Sequence, residues 1–362
     1  MTEIRNTSCI SIPQILVIGI GGGGNNALDR MINSNVENVT FAGINTDLQV
    51  LESCQAEIKL QIGQKITNGF GAGSDPSIGK AAAAENEEEL IELVKDFDMV
   101  ILTCGMGGGT GTGATPFLAK LCKDNGILTV AVVTTPFTFE SAPRTAASQT
   151  GIEELKKNVD TLLVIPNDKL LTLTDKPFFL QDAFAMADTV LKYTIEGITN
   201  IIFNRGIVNL DFNDLKTTLL NKGIGHLGIG TTTADGSILE ALKQAINSPL
   251  LDTSIAGATN ILINSSGNIN LTELDEAISH VRDLAGNNVN VIWGTVAADN
   301  FDMDKIVVTL IATGMQEKSP TSSLRISPPK QVGMLHSNTA FAMPKNKNME
   351  ITIPTFLQSH MK

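Results

Sequence analysis

The sequence is poor in aromatic residues and in cysteine. Phenylalanine, tyrosine and tryptophan make up 4% of its 362 residues, so aliphatic side chains must form most of any core. The four cysteines (Cys9, Cys54, Cys104 and Cys122) lie far apart without a CxxC pair, and the four histidines are scattered. This pattern favours neither a disulfide framework nor a zinc site, and it is typical of a protein in a reducing cytoplasm.

Excess positive charge and long apolar runs are also absent. Acidic residues number 38 against 26 basic ones, and the net charge of −12 argues against binding nucleic acid or lying on an anionic membrane. No window approaches the roughly 18 uninterrupted apolar residues of a membrane span, and the start, MTEIRNTSCISIPQ, has no secretory apolar core. We therefore expect a cytoplasmic protein without nucleic-acid binding or direct membrane insertion.

The length and the hydrophobic content, 42%, indicate more than one folded domain. The first half alternates helix-length segments with five short apolar runs: QILVIG, VTFAGIN, DMVILT, ILTVAVVT and TLLVIP. Because such runs are typical of strands covered by helices on both faces, they predict a doubly wound α/β domain with a parallel sheet.

The second half predicts a long helix followed by a smaller α/β domain. Apolar residues recur at helical spacing from Asp182 to the break at Gly206, and the strand-like runs GHLGIGTTT, NILIN, NVIWGTVA and KIVVTLIATGM come after it. Two helical segments separate these runs, and Thr272 is the expected N-cap of the second. We place the first domain at 14–181, the helix at 182–205 and the second domain at 206–316, after an N-terminal extension over 1–13.

The last part of the chain has a different composition. Prolines and polar residues dominate 317–349, which predicts a flexible linker. Residues 350–362 regain a few apolar side chains in TIPTFLQ, too few for a core, so this end is expected to be a docking peptide.

Two glycine-rich segments follow two of the predicted strands. Gly19 to Ile32 contains GxGxxG, and Cys104 to Pro116, CGMGGGTGTGATP, holds six glycines and three threonines. Glycine lets backbone N–H groups approach an anion, and a helix N-terminus adds positive potential. Two such turns at the carboxyl ends of parallel strands predict a di- or triphosphate site. It is not a Walker site, because GxxxxGK[ST] occurs nowhere.

The first glycine segment alone leaves alternatives open. It fits a dinucleotide-dependent oxidoreductase, in which Asp47 would bind the ribose, and it fits a tight turn without a ligand. The oxidoreductase hypothesis leaves the second glycine segment unexplained.

The segment GMGGGTGTGATP resembles the glycine motif of the tubulin-like GTPases. In chain order, from about 14 to 315, further segments resemble the FtsZ family of bacterial division proteins: INTDLQVL, GAGSDPSIGKAAA, TTPFTFE, IPNDKLL and NLDFND. The resemblance implies a GTP-binding domain that a central helix joins to a C-terminal activating domain.

The same resemblance implies the residues that bind the nucleotide. They are Gly22, Gly23, Gly24 and Asn26 in the first glycine segment, Gly108, Gly109, Thr110 and Gly111 in the second, Glu140 and Arg144 near ribose and phosphates, and Asn167, Phe184 and Asp188 at the base. An Asp carboxylate accepts from the ring N–H and the amine of guanine, whereas adenine offers no such pair, so GTP and GDP are expected. Mg²⁺ is expected to be bound by the phosphates of the nucleotide. Taken singly, Arg144, Phe184 and Asp188 equally fit structural roles.

The segment NLDFND resembles the family's synergy loop, whose carboxylates enter the nucleotide site of the next subunit. We expect Asp211 and Asp214 to orient or activate water, with Asn209 in support, so that hydrolysis depends on a head-to-tail homopolymer. From the residues alone, Asp214 is equally a first-turn charge that the helix dipole favours.

The resemblance further implies filaments that form the division (Z) ring at midcell, beneath the inner membrane, tethered by proteins such as FtsA or ZipA that bind the tail peptide. Four residues depart from the family pattern. Asn25 replaces a glycine, where Asn tolerance of left-handed backbone would preserve the loop. Asn213 replaces an alanine, and Thr352 and Gln358 replace charged residues. A paralogue that polymerises with little hydrolysis is the alternative hypothesis.

Overall fold

The structure is a computed structural model. It describes residues 12–34, 36, 38–171, 179–203, 210–233, 236–248, 254–267, 269–286, 288–296 and 305–315. The predicted linker 317–349, the docking peptide with Thr352 and Gln358, most of the N-terminal extension, and Asn209 lie outside the described residues.

A seven-stranded, fully parallel sheet forms the centre of the first domain, in the order β3-β2-β1-β4-β5-β6-β7. Its strands are β1 (Ile15–Ile20), β2 (Thr40–Asn45), β3 (Ile58–Gln61), β4 (Met99–Gly105), β5 (Leu128–Thr135), β6 (Thr161–Pro166) and β7 (Gly223–Ile224). The central strands are buried along their length, as expected for a sheet that helices cover on both faces.

Helices surround this sheet and the joint between the domains. Those in the described ranges are α1 (Gly21–Asn33), α2 (Leu48–Ser53), α3 (Gln64–Thr67), α4 (Pro76–Glu85), α5 (Glu87–Val94), α6 (Thr110–Asp124), α7 (Ala142–Asn158), α8 (Asn167–Leu170), α9 (Leu180–Phe203) and α10 (Phe212–Leu219). One apolar core lies between the sheet and α1, α9 and α10, and a second lies on the opposite face beneath α4, α5 and α6.

The predicted doubly wound architecture is confirmed, and all five apolar runs of the first half are strands. The prediction did not include β3 and β7. The edge strand β3, Ile58–Gln61, alternates apolar and polar residues over only four positions. Strand β7 has only two residues, Gly223 and Ile224, so neither strand has a run long enough to show a period.

The central helix α9 spans Leu180–Phe203, so it begins two residues before the predicted 182–205. Residues 204 and 205 lie outside the described residues. Its apolar face, which includes Leu191, Ile195 and Ile198, is buried in the first core. Residues from the second domain, such as Ile311, complete the same core, so α9 packs against both domains.

The second domain is built on a four-stranded sheet in the order β10-β9-β11-β8. Its strands are β8 (His226–Thr233), β9 (Asn260–Ser266), β10 (Asn290–Val296) and β11 (Lys305–Thr313), covered by α11 (Ile238–Ile246) and α12 (Leu271–Ala285). Strand β11 is antiparallel to both neighbours, whereas β9 and β10 are parallel. The prediction of Thr272 as the cap of α12 was wrong. Asn270 caps the helix, and its side chain accepts from the Thr272 N–H.

Helix α10 is attached to both sheets through its last carbonyls. The Thr161 hydroxyl of β6 donates to the Leu219 carbonyl at 2.6 Å, and the Thr313 hydroxyl of β11 donates to the Thr218 carbonyl at 2.5 Å. Strand β7 follows directly and joins the first sheet, although it comes from the segment that we assigned to the second domain. The position of α10 is therefore fixed relative to both domains.

Candidate nucleotide site

A cavity of about 610 Å³ lies at the carboxyl edge of the parallel sheet. It opens where β1 and β4 are neighbours and the strand order reverses, which is where α/β sheets commonly bind ligands. Residues that follow the ends of β1, β2, β4, β5 and β6 line it, including Gly22, Asp47, Gly108, Pro136 and Asn167. Its volume lies in the range of ligand sites, roughly 300–1,000 Å³.

Two long helices begin at this cavity without a capping side chain. Helix α1 has Ile20 at its N-cap and α6 has Gly109, and neither first turn receives a side-chain hydrogen bond. By contrast, Asp75 caps α4 and Ser141 caps α7. Unpaired first-turn N–H groups of α1 and α6 therefore face one cavity, with the positive ends of both helix dipoles. This arrangement suits a phosphate chain.

The glycines of the two segments serve different purposes. A Cβ at Gly22 or Gly108 would meet no atom within 4 Å, and both residues line the cavity. Glycine at these positions leaves space that belongs to the cavity. At Gly24, by contrast, a Cβ would lie 2.5 Å from the Thr103 carbonyl oxygen, and Gly24 does not line the cavity. Gly24 is thus a packing residue between α1 and β4.

The second glycine segment, which we predicted as a turn, is helical over its second half, since α6 begins at Thr110. A Cβ at Gly113 would lie 2.0 Å from the Pro76 carbonyl oxygen, and at Gly109 it would lie 2.8 Å from the Ala72 Cβ. Gly109, Thr110 and Gly111 still line the cavity. Much of the glycine content in this segment therefore permits close packing of α6 on α4.

The three residues predicted at the base all line the cavity. Asn167 is 5% exposed, and its Oδ1 has no hydrogen-bond partner within the described part of the chain. Phe184 is held by an edge-on contact with the buried ring of Phe137, with 5.4 Å between centroids. The third residue, Asp188, lines the cavity one turn further along α9. An unpaired buried amide oxygen and a carboxylate in the lining of one cavity suit a base that donates hydrogen bonds.

Glu140 and Arg144 lie together at another edge of the cavity. The Glu140 carboxylate pairs with the Arg144 guanidinium through Oε2 and accepts from the Phe137 N–H through Oε1 at 2.9 Å. Gly23 and Asn26 of α1 also line the cavity. Of the thirteen residues predicted to bind nucleotide, the structure thus brings twelve together and leaves Gly24 outside.

Sequence reasoning missed one wall of the cavity, residues 70–74. Gly71 and Gly73 have φ values of +84° and +57°, and Ser74 has a φ of +62°, so the backbone turns tightly here. The sequence signal for this turn is GAGS, residues 71–74, before α4. Asp47 also lines the cavity, although its carboxylate accepts from the Val50 N–H as the N-cap of α2.

The expectation for Asn25 was wrong. Asn25 lies inside helix α1 and is 1% exposed, so it needs no tolerance of left-handed backbone. Its Nδ2 donates to the Gly19 carbonyl at 2.9 Å, and its Oδ1 accepts from Asn45 Nδ2 at 2.8 Å. The side chain thus joins the ends of β1 and β2 behind the cavity.

Asp211 and Asp214 lie apart from the cavity and do not line it. Asp211 is the N-cap of α10: its Oδ1 accepts from the Asp214 N–H at 2.9 Å, and Asp214 Oδ2 accepts from the Asp211 N–H at 3.1 Å. The two carboxylates therefore form a reciprocal capping box at the start of the helix. Asp211 is exposed and Asn213 beside it is exposed as well.

Within the described ranges, no group of three or more His, Cys, Asp or Glu side chains is arranged to hold a metal ion. The three cysteines in those ranges, Cys54, Cys104 and Cys122, are free and buried. No helix of the same ranges combines the length and the apolar character that crossing a membrane requires.

The fold and the cavity together define a nucleotide-binding α/β protein whose phosphate cradle is formed by two uncapped helices without a Walker lysine. The model of the Tubulin/FtsZ family GTPase domain matches residues 14–175, and that of the FtsZ family C-terminal domain matches 223–316. The chain belongs to the FtsZ family of tubulin-like GTPases.

Solved structures agree with this assignment. The chain is 39% identical to an FtsZ from M. jannaschii, solved as an empty dimer, and the match covers 89% of this chain and 96% of that one with a TM-score of 0.78. A tryptophan-to-tyrosine mutant of FtsZ from M. jannaschii is 41% identical to this chain. The match covers 84% of this chain and 91% of that one, with a TM-score of 0.77. CetZ2 from Haloferax volcanii, solved as a GTPγS-bound protofilament, is 19% identical to this chain. The match covers 85% of this chain and 94% of that one with a TM-score of 0.73, and at this identity it shows the fold alone. That the chain is bacterial stays a prediction.

The buried carboxyl of Asp188 should make the stability of the nucleotide-free protein depend on pH. Burial raises the pKa of its carboxyl to about 6, although the hydrogen bond and charge of Arg30 oppose the rise. Because the folded state holds this proton more tightly than the unfolded state does, the nucleotide-free protein should lose stability as pH rises from about 4 to 6. Asp188→Asn should remove this loss and raise the free energy of unfolding by up to about 3 kcal/mol above pH 6. Urea unfolding at pH 4.5 and 7.5 measures it.

The control is Asp124→Asn, which removes an exposed charge at the end of α6 that water already solvates. Two results would contradict the burial of the charge at Asp188. One is an equal rise in the free energy of unfolding for both variants at pH 7.5, and the other is a rise for Asp188→Asn that does not change with pH.

Proposed function

We propose that this protein binds GTP in the cavity, polymerises head-to-tail and hydrolyses GTP at the junction between subunits. The observation that carries the proposal is the separation of two parts: the cavity has a phosphate cradle and a base pocket, while the carboxylates of Asp211 and Asp214 stand on another part of the surface.

Guanine is the base that suits the pocket. The Asp188 carboxylate can accept from the ring N–H and the exocyclic amine of guanine, and the unpaired Oδ1 of Asn167 offers a further acceptor in the lining of the same cavity. Adenine has no ring N–H to donate at that edge. The ring of Phe184, which is 39% exposed, offers a surface for stacking.

Catalysis then needs a second subunit. The cradle supplies N–H groups that stabilise charge on the phosphates, and Gly22 and Gly108 leave room for them. The carboxylates of Asp47 and Glu140 line the cavity but are engaged, one as the N-cap of α2 and the other with Arg144. We therefore assign the orientation of water to the exposed capping box of α10, which supplies two carboxylates. Contact between two different surfaces of one chain is heterologous, and it builds a filament when its rotation does not close into a ring. The dimer structure of the matched FtsZ from M. jannaschii supports self-association.

Membership of the FtsZ family supports a role for the filament in a division ring at midcell, and binding of the tail to tethers such as FtsA or ZipA belongs to the same proposal. Mg²⁺ would be carried on the phosphates, where it neutralises charge that develops in transfer. The residues around the cradle would bind those phosphates through backbone N–H groups.

The experiment that tests the proposal measures GTP turnover per molecule over a dilution series of the protein, with magnesium, while light scattering records assembly. We expect turnover to be negligible below a threshold concentration and to rise together with scattering above it. ADP and NAD⁺ should fail to displace bound GDP.

Turnover per molecule that does not depend on concentration would contradict catalysis between subunits. Assembly with GTP but without turnover would instead favour the paralogue that polymerises without hydrolysis. Displacement of bound nucleotide by NAD⁺ would favour the dinucleotide enzyme.

A further inference from the structure

Arg30 is an ion-pair partner of the base pocket, although it is not among the thirteen residues predicted to bind the nucleotide. It lies in α1, and its Nε donates to Asp188 Oδ2 in α9 at 3.0 Å, across 158 residues of sequence. The Asp188 side chain is 15% exposed, whereas that of Arg30 is 44% exposed. The pair therefore joins a buried carboxylate to a cation that water still reaches.

A second cavity, of about 590 Å³, explains how Arg30 approaches. Arg30 lines this cavity and not the nucleotide cavity, whereas Asn26, Phe184 and Asp188 line both. Asp188 thus stands between the two spaces, and Arg30 contacts it from the second one. A base in the nucleotide cavity would meet the carboxylate from the other space.

The geometry permits both contacts at once. An ionised carboxylate has about four lone-pair sites on its two oxygens, and Arg30 uses one of them at Oδ2. Acceptor capacity for a ring N–H and an exocyclic amine remains. A guanidinium bond that fixes one oxygen also limits rotation of the carboxylate about its own side-chain bonds.

Arg30 is also the cation that faces Asp188. Burial raises the pKa of the Asp188 carboxyl, and the hydrogen bond and charge of Arg30 are what lower it. The other charged groups around the two cavities are Asp29 of α1, Asp47, and Glu140 with Arg144, which pair with each other. On α9 itself, Lys192 pairs with Glu196. Without Arg30 a larger fraction of Asp188 would be protonated near neutral pH, and a protonated carboxyl loses an acceptor.

We propose that Arg30 is a positioning residue for guanine recognition, which keeps the Asp188 carboxylate ionised and oriented so that its oxygens accept from the base. The inference rests on the proposed function, because it takes Asp188 as the group that reads guanine.

The test measures equilibrium affinities of the unassembled protein for GDP, IDP and ADP by calorimetry between pH 6 and 8.5. IDP lacks the exocyclic amine, so the ratio of GDP to IDP affinity reports on the carboxylate. The wild type should bind GDP best, and its preference for GDP over IDP should change by no more than about twofold over this range, because the pKa of Asp188 is about 6. Arg30→Gln should weaken GDP binding about tenfold at pH 6.5, and the loss should shrink as pH rises to 8.5.

Two variants separate positioning from structure. Arg30→Lys keeps the charge and should restore most of the GDP affinity at pH 6.5. Lys80→Gln is the control, because it removes an ion pair of 2.5 Å between α4 and α7 that does not line the nucleotide cavity. It should leave the affinities and the pH profile unchanged.

Equal losses for GDP, IDP and ADP at every pH, with a lowered melting temperature, would overturn the positioning role. An Arg30→Gln variant that keeps the wild-type ratio of GDP to IDP affinity and the wild-type pH dependence of GDP binding would overturn it as well. If the wild type itself shows no preference for GDP over ADP, the proposed function fails and the role of Arg30 fails with it.

Discussion

Replacing Asp211 by Asn is expected to lower GTP turnover at least about 100-fold while nucleotide binding and folding persist. The side chain is the N-cap of α10, and Asn caps a helix about as well as Asp, so the helix start should survive. What is lost is the negative charge that would orient or deprotonate water. The measurement is turnover above the assembly threshold, with GDP affinity and melting temperature measured in parallel.

Two further variants make the result specific. Asp211→Ala removes the cap as well as the charge, so it should lose the same activity and in addition about 1 kcal/mol of stability. Ser237→Ala removes the cap of α11, where the side chain accepts from the Leu239 N–H, and should cost stability without lowering turnover. If Asp211→Asn turns over GTP at the wild-type rate, this carboxylate has only its capping role.

Mixing gives the sharpest form of this test. Asp211→Asn subunits retain an intact cavity, and a subunit with a damaged cavity retains intact carboxylates. If the site is shared, mixed filaments should regain turnover that neither variant shows alone. If each subunit uses its own Asp211, mixing should restore nothing.

The parts of the fold that sequence predicted are those with uninterrupted apolar runs. Strand β1 is buried from end to end, and β4 and β5 are buried in all but their last residue, so the composition of these strands alone marks them. Strand β7 owes its place to Asp160, whose carbonyl oxygen accepts from the N–H groups of Lys222 and Gly223 at 2.8 and 2.9 Å. Such long-range bonds leave no local pattern, and they decide that β7 joins the first sheet.

The candidate site shows the same division between local and long-range causes. Gly24 and Gly108 look alike in sequence, since both stand in glycine-rich segments after strands. What separates them is the neighbour that each would meet, the Thr103 carbonyl for Gly24 and open cavity for Gly108. Likewise the pairing of Arg30 with Asp188 depends on how α1 packs on α9, which no motif encodes.

Glycine substitutions make this difference measurable. A methyl group at Gly108 meets no protein atom within 4 Å, and the residue has no positive φ, so Gly108→Ala should fold as the wild type does. The methyl would occupy the space where phosphate approaches, and lengthening two or three N–H contacts of about 1 kcal/mol each should weaken GTP and GDP binding about 100-fold. Calorimetric titration and thermal melting measure the two quantities.

Gly113→Ala is the matched variant, five residues further along the same segment. Its Cβ would lie 2.0 Å from the Pro76 carbonyl oxygen and 2.6 Å from the Lys80 N, both backbone atoms of α4, so α4 and α6 must move apart. We expect a loss of about 3 kcal/mol or more in the free energy of unfolding. Loss of stability from Gly108→Ala together with unchanged nucleotide affinity would show that the space at Gly108 serves packing rather than a phosphate.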